Sequence, residues 1–134
     1  MTTKLLLVLA GGTLGTAVRA WAGETFAPAA GGWPWPTFAV NVLGSFLLGL
    51  LLTSLAAGRW GSTGRERLWL LAGTGALGGL TTYSTFAVEV VLLLRDGSAL
   101  TGLGYGTLSV AAGIVAAAAG YRLGGPVAPA GGDA

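Results

Sequence analysis

The nine residues GGLTTYSTF, positions 78–86, place two glycines, three threonines, a serine and a tyrosine between apolar stretches. Such a cluster can do ion chemistry. A pair like Gly78-Gly79 is the cheapest place to open a helix, and the Thr81 and Thr82 hydroxyls can satisfy the backbone groups set free. An opened membrane helix offers carbonyl oxygens to a cation and N–H groups to an anion. Tyr83 and Phe86 lie three apart and so share one face beyond the opening. The alternative is an unbroken helix packed through its glycines, with hydroxyls bonding back along the chain; the clustering favours the opening.

Three further polar residues fall where hydrocarbon is expected. Glu89 sits among Val88, Val90 and Val91, and an intramembrane carboxyl marks either a functional site or the partner of a nearby base. Asn41 carries a carboxamide that needs a partner, in a pore or between helices. Arg19 either snorkels to the interface or draws anions into a vestibule.

Catalysis has no tools here. The 134 residues include no histidine and no cysteine, which removes the usual zinc sites, thiol nucleophiles and Ser-His-Asp triads. The run Gly73-Thr-Gly75-Ala-Leu-Gly78 matches the dinucleotide fingerprint only by letter, because it lies in an apolar stretch and not in a strand-turn-helix unit.

The elements that must carry these residues follow from composition. Hydrophobic residues make up 53% of the chain and charged ones 9%, far below the quarter common in soluble domains, and mean hydropathy is +0.74. The net charge of +2 is too small for a nucleic-acid surface. Four apolar stretches, roughly 5–22, 38–57, 68–94 and 103–123, are long enough to cross a bilayer. The reading is one all-α membrane domain over 1–123 with a disordered tail at 124–134, rich in Gly, Pro and Ala. Trp21, Trp33 and Trp35 mark one interface, Trp60 and Trp69 the other.

Sidedness comes from the basic residues. With four crossings, Lys4, Arg59, Arg65, Arg67 and Arg122 share one side against Arg19 and Arg95, so both termini are expected in the cytoplasm. Lys4, the run LLLVLA and Ala20-Trp21-Ala22 also resemble a signal peptide. The helical spacing of Gly11, Gly15 and Arg19 instead favours a packed span. The sets Asn41, Ser45, Gly49, Thr53 and Tyr105, Ser109, Gly113, Ala117 repeat that four-residue spacing. For Gly49, Gly113 and Ser45, close helix packing is the preferred explanation.

Three segments together carry a family resemblance. GGTLGTAVR (11–19), TFAVNVLGSFLLG (37–49) and GALGGLTTYSTFAVE (75–89) resemble, in order and spacing, the signatures of the Fluc/CrcB fluoride channels. The resemblance implies a multi-pass protein of a bacterial or archaeal plasma membrane. It implies four-helix subunits with a broken third helix, paired antiparallel, with two fluoride pathways per dimer and a structural sodium ion at its centre. By position, Gly78 and Thr81 correspond to the carbonyl donors to sodium, and Phe86 to an aromatic that lines the pore. Asn41, Ser84, Glu89, Tyr105 and Ser109 correspond to the ion path, and Arg19 to a basic residue near a vestibule. The sequence departs from the family at Tyr83, where phenylalanine is usual. The five-to-two basic asymmetry also leaves two assemblies open, a homodimer or a pair with an oppositely oriented homologue. Competing functions are a four-helix drug or metabolite exporter, which generally needs a carboxylate in the first helix, where this sequence is read as having none, and a membrane anchor subunit.

Overall fold

In lipid the backbone must satisfy its own hydrogen bonds, so long apolar stretches fold as helices. The computed structural model describes residues 1–57 and 60–125, and among them every regular element is helical. Helix α1 (Thr2–Thr25) leads by a loop to α2 (Trp35–Ala56). The third crossing is built from α3 (Ser62–Leu68), a π-helical segment (Trp69–Leu77), α4 (Gly78–Leu80) and α5 (Tyr83–Arg95); α6 (Ala99–Leu123) follows. Four helical stretches, with α3 to α5 counted as one, are long and apolar enough to span a membrane. Arg59 and residues 126–134, which hold most of the expected tail, lie outside the described residues.

The spans run beyond their expected ends by as much as a turn or two. Pro36 is accommodated in the first turn of α2, where no N–H is owed to a preceding carbonyl. The longer α1 takes in Glu24, which corrects the view that the first helix holds no carboxylate. Glu24 is exposed in the last turn of α1, at the very end of the helix and not at its middle. Between α5 and α6, Gly97 adopts φ +80° and lets the Ser98 N–H reach back to the Leu93 carbonyl at 2.9 Å.

Small residues decide which helices touch. α1 packs on the π-helical segment and α4, while α2 and α5 pack on α6. A Cβ at Gly11 or Gly15 would run into the carbonyls of Leu71 and Ala76, and one at Gly79 into that of Gly12. Gly49 and Gly120 seat α2 and α6 in the same way, against the carbonyls of Ala117 and Phe46. The packing role read for Gly49 is therefore its role in the fold. Thr53, fully buried, adds hydroxyl bonds to the Gly49 carbonyl (3.1 Å) and the Tyr121 carbonyl (2.8 Å). These contacts, with the ion pair between Lys4 and Glu66, bring the start of α1, the end of α2, the start of α3 and the end of α6 to one end of the bundle.

The bundle is thin. Among the described residues its buried apolar side chains are few, Val40, Leu55, Leu80, Leu93 and Tyr105, while Leu14, Val18, Ile114 and Val115 stand outward.

Candidate ion pathway

The third crossing leaves the helical conformation at Thr81 and Thr82. Both are extended (φ −79°, ψ 151° and φ −146°, ψ 124°), between α4 and α5. Gly78-Gly79, where the sequence suggested an opening, are helical; Gly78 has φ −63° and ψ −35°. Gly79 serves close approach to α1 instead, whereas a Cβ at Gly78 would meet only the Gly73 carbonyl at 3.9 Å, and the extended conformation falls where a side chain can satisfy it.

That side chain is Asn41. Its Oδ1 accepts the Thr82 N–H at 2.8 Å, and its Nδ2 donates to the Thr82 carbonyl at 3.0 Å. The carboxamide thus pairs with both main-chain groups of one residue as a neighbouring strand would, which takes the interhelical of its two foreseen roles. Thr82 then caps α5: its Oγ1 accepts the Thr85 N–H at 3.2 Å and donates to Thr85 Oγ1 at 3.0 Å. Ser84 Oγ stands 3.3 Å from Thr82 Oγ1.

These substitutions release two carbonyls. In a continuous helix the Thr82 N–H would return to Gly78 and the Thr85 N–H to Thr81. Here both are diverted, to Asn41 and to the Thr82 hydroxyl. The Gly79 carbonyl is taken up differently, by Arg19 Nε at 3.1 Å and Thr16 Oγ1 at 3.5 Å. Arg19 is part-buried and tied to the start of the turn, so it does more than snorkel.

Glu89 holds the second polar centre. Thr37 Oγ1 donates to its Oε1 and Tyr105 OH to its Oε2, each at 2.7 Å. Neither donor is basic. Thr37 begins the second quoted motif, yet it drew no attention as a site residue. The signal was Glu89 itself, a carboxyl that must find donors inside the membrane. The Tyr105 ring connects this centre inward, 5.3 Å from the Phe86 ring, and outward, 5.5 Å from Trp33.

Two cavities organise the expected residues. One of about 400 Å³ gathers Asn41, Gly78, Thr81, Tyr83, Phe86 and Ser109. A second, about 380 Å³, brings Arg19 and Glu89 together with Thr37 and Thr85. Tyr105 and Ser84 line neither, but Tyr105 touches both Phe86 and Glu89. Ser109 Oγ faces the first cavity, buried and without a hydrogen-bond partner among the described residues. Tyr83 opens α5 with 80% of its surface exposed and its ring 6.2 Å from Phe86.

A family model described as CrcB-like protein, Camphor Resistance (CrcB), matches residues 6–121. A relative in Rhodococcus jostii, named fluoride-specific ion channel FluC 2, is 46% identical over 119 residues, covering 89% of this chain and 96% of its own. One from Phenylobacterium zucineum, named fluoride-specific ion channel FluC, is 43% identical over 120 residues, covering 89% and 93%. A third, of the same name, from Caulobacter vibrioides strain NA1000, is 41% identical over 118 residues, covering 87% and 91%.

Proposed function

The chain belongs to the CrcB family, and from that premise we propose that it is a passive, fluoride-selective channel that exports fluoride from the cytoplasm as an antiparallel dimer with two pores. It is a multi-pass membrane protein and not an enzyme. The observation that carries the reading is the first cavity. It draws six residues, nominated by sequence from positions as far apart as 41 and 109, to one groove beside the extended Thr81-Thr82 pair. We read that pair as the functional break of the third helix.

Fluoride is small and strongly hydrated, so a path for it must replace water with hydrogen-bond donors and the positive edges of aromatic rings. Arg19 and the second cavity supply a vestibule. From there the anion passes Thr37 and Tyr105, whose hydroxyl hydrogens are donated to Glu89 and serve the anion only on turning away from the carboxyl, and then the Phe86 ring. Ser109 Oγ, unpartnered and buried, is a donor in waiting on the far side of that ring. Asn41 Nδ2 spends one hydrogen on Thr82 and keeps a second for the path. Ser84, on the first turn of α5, adds a hydroxyl beside the break.

The released carbonyls of Gly78 and Thr81 suit a sodium ion, which takes neutral oxygen donors and would fix the break at the dimer centre. Support for the dimer comes from Tyr83, a large aromatic left exposed at the rim of the groove, as a residue completed by a second subunit would be. Tyr83 then offers a hydroxyl to the pore where phenylalanine is usual in the family.

Export of this kind has a simple logic: HF crosses membranes, ionises inside, and leaves an anion that needs an exit. Liposomes loaded with potassium fluoride test it. With equal pH on both sides and a potassium ionophore present, the protein should release fluoride; release that waits for a proton gradient would overturn the passive mechanism.

A further inference from the structure

We propose that the crotch between the end of α2 and the start of the third crossing is a binding site for one anionic phospholipid. It rests on none of the groups assigned to fluoride. A cavity of about 780 Å³ lies there, its apolar lining supplied by Leu52 and Leu55 of α2 and by Trp60 and Trp69. Ser62, Arg65 and Glu66 of α3 supply its polar lining. This end of the bundle is the one that also holds Lys4 and Arg122.

The order of chemistries along the cavity is that of a lipid at the edge of a bilayer. Leu55 is buried and Leu52 half-exposed, an apolar surface for the first methylenes of an acyl chain. Tryptophans sit by preference at the depth of headgroups, and Trp69 stands where the polar α3 passes into the apolar segment. One turn earlier, the Arg65 guanidinium presents a planar fork suited to a phosphodiester. A free phosphate would find only Arg65 and Ser62 here and would leave the apolar lining uncovered.

Charge selects the anionic lipid. Glu66 also borders the cavity, but its carboxylate is paired with Lys4. Among the described residues, Arg65 has no carboxylate partner. The polar lining therefore keeps an unbalanced positive charge.

Tryptophan fluorescence of the full-length protein in liposomes reads the site directly, with lipids brominated on their acyl chains as quenchers. Brominated phosphatidylglycerol should associate roughly fivefold more strongly than brominated phosphatidylcholine, the preference one arginine near an anionic headgroup gives. Arg65→Gln should reduce that ratio to about one. Arg67→Gln removes the same charge from the same helix but outside the cavity, and should preserve it. Because the chain has five tryptophans, Trp60→Phe with Trp69→Phe must remove most of the selective quenching. Equal association of the two lipids would overturn the proposal, as would equal losses in the Arg65 and Arg67 variants, which would indicate diffuse surface attraction. Displacement of the lipid by inorganic phosphate at millimolar concentration would equally overturn it, in favour of a simple ion site.

Discussion

Glu89 has both carboxyl oxygens engaged by hydroxyls from other helices, and this fixes what each partner should be worth. Thr37→Val and Tyr105→Phe each remove one donor and leave a carboxyl oxygen bare. Each should lower fluoride flux by about tenfold, a barrier increase of about 1.4 kcal/mol. Because both act on one group, the double variant should cost less than the sum of the two; strict additivity in a liposome flux assay would break the link between them. Phe86→Ile keeps most of the apolar volume but removes the ring that packs on Tyr105 and lines the groove. Its flux should fall by more than about tenfold with the dimer intact on size exclusion; unchanged flux would remove Phe86 from the path. The sequence made Glu89, Tyr105 and Phe86 legible, because a carboxyl, a phenol and a ring stood out among valines and glycines. Thr37 was not legible. One threonine at the head of a span is common, and only folding brings it to a residue 52 positions away.

At the scale of elements, the turn in the third crossing depends on a side chain from another helix. Asn41→Leu leaves the Thr82 N–H and carbonyl without partners, at a cost of about 1–3 kcal/mol for each buried group. The variant should melt at a clearly lower temperature in detergent, and its helix content should stay close to that of the parent. Gly15→Val tests the packing of α1, since its Cβ would press on the Ala76 carbonyl, a backbone atom that cannot swing aside. It should abolish the monodisperse peak on size exclusion, whereas Gly64→Ala, in open space on α3, should leave it untouched. Hydropathy alone disclosed the four crossings, because lipid demands long helices. It could not place the turn. Gly78-Gly79 are locally the easiest residues to unwind, yet the turn sits at Thr81-Thr82, where a long-range bond from Asn41 offsets the lost helical bonds. Local propensity sees the cost of opening a helix and not the partner that covers it.

For the whole molecule, the claim is that one chain suffices to make a fluoride-selective pore by pairing with an inverted copy of itself. A protein without cysteine offers a clean test of the inversion. Gly64→Cys, on exposed α3, should react with a membrane-impermeant maleimide to about half from outside intact cells and fully after permeabilisation, the result for equal use of both orientations. Labelling from one side alone would point to fixed orientation and an opposite partner, as the five-to-two bias of basic residues allows. The most direct measurement joins selectivity to sufficiency. The chain, expressed and purified alone, is reconstituted into liposomes holding potassium fluoride or potassium chloride, valinomycin is added, and the external halide is followed with electrodes. Rapid loss of fluoride with chloride retained is the outcome expected of a self-sufficient, fluoride-selective pore. Retention of both anions, or release of both alike, would contradict it.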